Sequence, residues 1–449
     1  MKRIGVWITV LTCLLVWMCA CAPMSDQTGG TTVTTTTVTT TGTTTGTTTA
    51  GTSSTETSGS STTVTATTST TATTNRVTTT KPQTETDEMR AVWFAFSDIR
   101  ALIGNKTVAQ AKSALDAAMK KVADFGLNTV IFHVRANSDA YYKSALFKPA
   151  ASVKNQIDAG FDPLAYAITA AHNNGLELHA WVNPYRIGAD ESYAACDDTF
   201  TYNNRHYYIP TSVEAQALIL NGVRELMQYD IDGVQFDDYF YPAGACSENT
   251  AAAFEKDAYT AYQKAGGTGT PGDWRRANVN ALVRSVYQIV HQKKGCVFGI
   301  SPSSDVAKNY SQMYADVKLW MKASGYVDYI CPQLYYGFDH AVAAFDDQTD
   351  LWCGYARHSS VKLYVGLALY KTGIYTDTYA GASGKTEWAD NDDVMRRSVE
   401  YLRKKQTVGG FMLFRYEHLT ASAARETAFD QAIAQKELDH LKSILSKRK

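Results

Sequence analysis

No Tyr or Phe occurs before Phe94 in this 449-residue chain, and residues 28–86 hold no aromatic residue, Leu or Ile. Of those 59 positions, 33 are Thr. β-Branched Thr favours strands, but without apolar partners it has nothing to bury, so the stretch reads as a disordered spacer. An excess of one charge is also missing. With 43 basic and 44 acidic side chains the formal net charge is −1. That excludes the basic surface from which a nucleic-acid binder draws its affinity. A disulfide framework is absent too. Of eight cysteines, Cys13, Cys19 and Cys21 belong to the N-terminal leader, leaving the odd set Cys196, Cys246, Cys296, Cys331 and Cys353. Cys296 and Cys331 lie in strand-like apolar runs and read as packed thiols, while Cys196 and Cys246 lie in loops, where pairing stays open. No Cys-x-x-Cys, His-x-His or His-Glu-x-x-His spacing occurs. Neither a metal nor another cofactor is therefore expected.

The chain does have a leader. Met1-Lys2-Arg3 is a positive start, and the apolar run Ile4–Cys19 is too short and wrongly flanked for an ordinary membrane span. It reads as a secretory signal over residues 1–20. Ala20 directly before Cys21 resembles a bacterial lipobox. Cys21 is thus the expected lipidation site, with plain secretion as the alternative. Residues 21–87 become a lipid-anchored, Thr/Ser/Gly-rich linker on the extracytoplasmic side of a membrane. Residues 88–440 form the folded part, and 441–449 a basic tail.

From Arg90 onward, apolar runs alternate with amphipathic stretches. Strands are expected at 90–96, 128–135, 176–183, 231–237, 297–301, 327–333, 363–370 and 410–415. Helices are expected near 107–125, 163–174, 213–229, 274–293, 312–324, 341–358 and 392–405, with an eighth from about Thr420. Pro163 suits a first helical turn, and Gly126, Gly175, Gly295 and Gly325 follow helices where a left-handed cap favours Gly. Eight strand-then-helix units imply a (β/α)₈ TIM barrel. Alternation along each strand then separates an outer apolar set from an inner set. Leu176, Leu178, Ala180 and Val182 face the helices, so Glu177, His179, Trp181 and Asn183 face the axis. By the same rule His133, Arg135, Gln235, Asp237, Tyr239, Tyr364 and Tyr370 point inward. Long loops at 136–162, 187–211, 243–273 and 371–391 all leave strand carboxyl ends, the face where barrel enzymes place their chemistry.

Ile231–Pro242 carries the strongest constellation. Asp237 and Asp238 stand together at the end of the fourth strand. A glycosidase needs a carboxyl group there to protonate the leaving oxygen, and a second group to stabilise or attack the oxocarbenium-like carbon. Asp237 points inward by parity, while Asp238 does so only if the strand is already turning. The seventh strand ends in Leu369-Tyr370-Lys371 and supplies no carboxylate. Asp139, Asp305, Asp339 and Glu417 lie near other strand ends. The alternative is assistance by an N-acetyl group of the substrate itself. Arg135, Asn183, Arg186, Gln333 and Arg415 suit sugar hydroxyl or carboxylate oxygens. Trp181, Tyr239, Tyr335, Tyr336 and Tyr370 suit stacking on sugar faces, with His179 and Asp139 beside them.

Several segments recur in a familiar order: Gly126-Leu127-Asn128-Thr129-Val130, Gly160-Phe161-Asp162-Pro163-Leu164, Ala180-Trp181-Val182-Asn183-Pro184-Tyr185-Arg186, Asp237-Asp238-Tyr239-Phe240-Tyr241-Pro242, Asp273-Trp274-Arg275-Arg276, Gly299-Ile300-Ser301-Pro302 and Pro332-Gln333-Leu334-Tyr335. Over roughly residues 88–419 the chain resembles the bacterial glycoside-hydrolase-like family 10. The resemblance implies an exported or lipid-anchored barrel acting on peptide-stripped peptidoglycan strands, and it supports Asp237 and Asp238. One departure is Tyr207-Tyr208-Ile209-Pro210-Thr211, where the family usually carries a Leu-Asn-Pro-Gly turn. Another is Arg135-Ala136-Asn137, which lacks the Pro-Glu often found after that Arg. A catalytically silent, polysaccharide-binding barrel and a hydrolase of a non-wall polysaccharide remain the competing readings.

Overall fold

The computed structural model describes residues 88–445. Cys21, the leader and the Thr-rich linker lie outside the described residues. Eight parallel strands close a barrel: β1 (Met89–Phe94), β2 (Thr129–Arg135), β3 (Glu177–Val182), β4 (Gly233–Phe236), β5 (Val297–Ile300), β6 (Tyr329–Ile330), β7 (Lys362–Leu367) and β8 (Val408–Leu413). Each strand pairs with the next, and β8 closes on β1 with Met89–Val92 opposite Gly410–Leu413. Outside them run α1 (Val108–Asp124), α2 (Pro163–Asn173), α3 (Val213–Leu226), α4 (Pro271–Val290), α5 (Val317–Lys322), α6 (Phe345–Gly354), α7 (Val394–Lys404) and α8 (Gln431–Leu445). The fold is the expected (β/α)₈ barrel.

Local chemistry sets the helix starts. Thr107 accepts from Gln110 N while the Gln110 side chain accepts from Thr107 N, a reciprocal cap on α1. Asp162 caps α2 before Pro163, and Thr270, Pro271 and Asp273 do the same for α4. The alternation also holds. Val130, Phe132, Leu178, Ala180, Val234, Phe236, Leu363 and Val365 join the large core between strands and helices. Trp93, Ile131, Trp181, Tyr329, Tyr364 and Met412 form a separate cluster that fills the axis. Within the axis lies a polar network. The fully buried Gln235 accepts from Trp93 Nε1 at 2.6 Å, and its amide donates to Tyr329 Oη and Met412 Sδ, each at 3.3 Å. Tyr329 Oη in turn meets His179 Nδ1 at 3.0 Å.

Three expectations need correction. First, the ladder between β2 and β3 slips after His133, so Arg135 stands opposite Val182 rather than Asn183. A bulge of this kind re-aims the residue that follows it, and Arg135 leaves the axis: its guanidinium lies 4.5 Å from the Phe147 ring centroid and donates to Pro184 O at 3.3 Å. Second, the last helix begins at Gln431, not near Thr420. The intervening backbone is spent on the loop after β7, with Tyr375 N bonded to Ala428 O and Asp430 N to Gly373 O. Asp430 then caps the helix through Ala432 N. Third, α8 runs past residue 440, and Leu441 and Leu445 are buried, so part of the expected basic tail belongs to the barrel. The long loops carry structure of their own. The loop after β3 folds into a three-stranded sheet of Arg186–Gly188, Arg205–Tyr208 and Thr199–Tyr202. Cys296 and Cys331 are buried thiols as expected, and Cys196 and Cys246 are not bonded to each other.

Close packing at the axis yields a stability prediction. A Cβ at Gly299 falls 2.0 Å from Cε2 of Tyr329, whose ring is locked by its hydroxyl partners. Gly299→Ala is expected to cost about 1–3 kcal/mol by overpacking. Gly354 meets nothing within 4 Å, and Gly354→Ala should leave stability unchanged or raise it slightly. Urea denaturation of the two variants checks the contrast.

Candidate active site

The mouth is organised by the point where β4 stops. The strand ends at Phe236, and the chain turns immediately: Asp238 N donates to Asp237 Oδ1 at 2.7 Å and Phe240 N to Asp238 O at 3.0 Å. The turn resolves the parity question, because it lets two successive carboxyls serve one place. Asp237 is buried, whereas Asp238 remains partly open to solvent although its carboxyl is closely packed. Gln333, beyond β6, donates to Asp237 Oδ1 at 3.2 Å and to Ser301 O at the same distance. Strands four, five and six are thereby tied together at the carboxylate.

The electrostatics differ between the two acids. Burial and the adjacent Asp238 push Asp237 well above the usual carboxylate range, while Arg186 pulls it down. Burial raises Asp238 as well, opposed by its hydrogen bond with Asp237 and by the charge of Lys308. Of the two, Asp237 is the more strongly disposed to keep a proton. Two neighbouring carboxyls cannot both ionise cheaply in a dry site. Pairs of carboxyls whose surroundings push them apart in this way are the arrangement general acid chemistry draws on.

Aromatic rings flank this pair on two sides. Trp181 stacks on His133 with centroids 3.5 Å apart and planes 8° from parallel. Burial, and then Arg186, hold His133 well below its ordinary value, so the imidazole is neutral. Asn183 is buried, accepting from Trp181 Nε1 at 3.1 Å and donating to Ala136 O at 3.0 Å. It positions the indole rather than reaching outward. Arg186 begins the three-stranded insert and lies 5.2 Å from the Tyr239 ring centroid, which places both beside the acid pair. On the opposite flank Tyr335, Tyr370 and Phe414 form a half-buried wall, with Tyr335 stacked on Phe414 at 5.5 Å and edge-on to Tyr370 at 5.9 Å.

Other expected site residues stand elsewhere. His179 is fully buried beneath the mouth, in the axial network with Tyr329. Arg135 is buried behind the bulge. Asp139 is half-buried in the loop after β2, raised by burial, and the charge that lowers it comes from Arg135. Arg415 is tied to Ser97, Asp98 and Glu417, so it is not free to meet a sugar. The same ties hold Glu417. Asp305 is exposed and caps a short helix through Lys308 N. Asp339 is exposed beside Glu387, which accepts from its backbone N–H. Lys308 was missed by sequence reasoning. It lies on the helix Val306–Gln312, whose start was legible in the Asp305 N-cap but whose seven residues are too few to show periodicity.

The loop after β4 is clamped by a buried ion pair. Arg275 Nε meets Glu255 Oε1 at 2.7 Å, and its other nitrogens hold Ser247 O, Thr250 O and Tyr314 Oη. Tyr241, three residues after Asp238, donates to the same Glu255 at 3.2 Å.

These charges predict opposite titration shifts. Asp238→Asn removes a raising charge, so Asp237 should lose its proton at lower pH. Arg186→Ala removes a lowering charge, so it should lose its proton at higher pH. Carboxyl-carbon NMR titration of Asp237 in the two variants reads both signs, and shifts in the same direction would contradict the assignment.

Comparison with known proteins places these features in context. The sequence model of the family Glycosyl hydrolase-like 10 matches residues 88–380. Glycosyl hydrolase YngK of Bacillus subtilis (strain 168) is 32% identical over 371 residues, covering 74% of this chain and 69% of that protein. Glycosyl hydrolase DigH of Escherichia coli (strain K12) is 27% identical over 389 residues, covering 75% and 85% respectively. Among solved structures, the PgaB (BpsB) glycoside hydrolase domain from Bordetella bronchiseptica superposes with a TM-score of 0.52 at 12% identity, over 81% of this chain and 100% of that one. At that identity the likeness concerns the fold alone.

Proposed function

This chain belongs to the Glycosyl hydrolase-like 10 family and is a glycoside hydrolase, and from that premise we propose that it cleaves N-acetylated cell-wall glycan, with Asp237 as general acid. One observation carries the reading: a buried Asp237 beside Asp238 at the carboxyl end of β4, held by Asp238 N and Gln333 and pushed well above the usual carboxylate range by burial and its neighbour. In this mechanism Asp237 gives its proton to the glycosidic oxygen as the bond from the anomeric carbon to that oxygen breaks. The positive charge that develops on the sugar needs a partner. Glu417 is held by Arg415 and Asp305 is spent on a helix start. Asp238 is the carboxylate at hand, and its place beside the acid suits holding the N–H of an acetamido group. The acetamido oxygen then closes on the anomeric carbon from within the substrate, and water opens that intermediate. The requirement for an N-acetyl group follows from this assignment of Asp238. Trp181, Tyr239, Tyr335 and Tyr370 offer ring faces and edges to the strand, and Arg186 and Gln333 offer hydrogen bonds near the acid pair.

The same proposal extends to location. The lipobox-like Ala20-Cys21 and the Thr-rich linker support a barrel tethered by lipid on the extracytoplasmic face of a bacterial membrane, where peptide-stripped peptidoglycan strands are the available polymer.

The test incubates the protein with peptide-free glycan strands, chitin oligomers and xylan and resolves the products by mass. New reducing ends are expected from the N-acetylated polymers and not from xylan. Asp237→Asn should lower kcat by about 10²–10⁴-fold with the circular dichroism spectrum unchanged. Full turnover by that variant, or cleavage confined to xylan, overturns the assignment. Retention of glycan without any product, in the unaltered protein, favours a binding barrel instead.

A further inference from the structure

Beside the catalytic mouth lies a second concavity that the proposed chemistry does not use. It is a cleft of about 830 Å³ between the helix Val306–Gln312 and α6, with Ser304 and Tyr336 in its lining. That volume falls within the range of sites for small ligands, roughly 300–1,000 Å³. Its lining joins the catalytic centre through the backbone. Ser303 bridges to Gln333, the residue whose amide holds Asp237, and Ser304 follows directly. The Ser304 and Tyr336 hydroxyls meet at 2.6 Å.

Two observations mark the cleft as built for a ligand. Exposed large apolar side chains are few among the described residues, yet Tyr310, Val342 and Leu351 all line this one cleft. Clustering of this kind marks binding surfaces more often than scattered exposure does. Moreover, the Tyr310 ring is held in place although it is 44% exposed. The Arg276 guanidinium lies 4.0 Å from its centroid and also donates to Tyr310 O at 3.1 Å, and Glu248 and Asp273 fix Arg276 from behind. An exposed aromatic ring backed on one face and ordered in advance binds a partner at little entropic cost. Asp305 and Gln348, in the same lining, supply hydrogen-bonding groups suited to hydroxyls and amides.

We propose that this cleft is a distal glycan subsite, in which a sugar unit remote from the scissile bond stacks on Tyr310. Its ligand is a further portion of the strand that the catalytic centre cleaves, so the inference rests on the hydrolase reading above. It also gives the Arg276 of Asp273-Trp274-Arg275-Arg276 a function: Arg275 clamps the loop after β4, and Arg276 supports the platform.

The test compares Tyr310→Ala, Tyr310→Trp and the unaltered full chain on the shortest N-acetylated oligomers that are cleaved and on long glycan strands. For Tyr310→Ala, KM on strands should rise about tenfold, equivalent to about 1.4 kcal/mol, with kcat unchanged and short oligomers unaffected. Tyr310→Trp should restore the strand KM. Equal losses on short and long substrates, or no loss on strands, overturn the subsite. A parallel measurement uses Asp237→Asn with and without Tyr310→Ala and reads retention on insoluble glycan. If the unaltered protein cleaves nothing but retention still depends on Tyr310, the hydrolase reading falls and the binding site stands. Retention independent of Tyr310 removes the site.

Discussion

The barrel depends on satisfying one amide at its axis. Gln235 has no exposed surface, and an unpaired amide there would cost roughly 1–3 kcal/mol. It is paired with side chains from β1, β6 and β8, and through Tyr329 it reaches His179 on β3. Five of eight strands are thus fixed relative to each other by one polar contact set rather than by apolar packing alone. Apolar packing tolerates sliding, whereas hydrogen bonds specify register. Asp237 stands two residues beyond Gln235, one past the end of the same strand, so the precision of the axis passes to the acid.

Above that layer the chemistry is divided between rigid and adjustable parts. Asp237, Gln333 and Trp181 come from strand ends or the first residues past them. Arg186, Lys308 and Tyr239 come from the segments that follow, and the first two set the charge around the acid pair. The buried Arg275–Glu255 pair keeps the longest of those segments from wandering. Removing one partner of such a pair leaves an uncompensated buried charge, at about 3–5 kcal/mol. The loop that carries Tyr239 and Tyr241 is therefore held as firmly as a secondary-structure element.

Much of this was legible in the residues. Alternation in Leu176–Asn183 and Ile231–Tyr239 identified which side chains share the axis, because a strand's period is fixed by covalent geometry. The expected barrel and the placement of Asp237 followed. Alternation failed at Arg135, since one inserted residue reverses parity and nothing in Phe132-His133-Val134-Arg135 announces it. It also could not separate depth along the axis: His179 and Trp181 share a side, yet one lies in the polar layer below and the other at the mouth. The late start of α8 was hidden because Thr420–Asp430 satisfies its backbone against a loop some fifty residues earlier in sequence. Pairings of that kind are set by tertiary contacts, and the local pattern is silent about them. Glu417 and Arg415 illustrate the same limit, since their place just past a strand end offers both to the substrate while proximity in space gives them to each other.

The position of Glu88 carries a mechanical consequence. The first described residues enter at the foot of β1, opposite the mouth, where Glu88 is bonded to Arg403 of α7 at 2.8 and 3.0 Å. β1 is flanked by β2 and β8 and runs parallel to both. A pull transmitted through the preceding chain acts along that strand, so it loads two hydrogen-bonded ladders in shear rather than peeling an edge one bond at a time. Load entering at that end is therefore shared between both neighbouring strands.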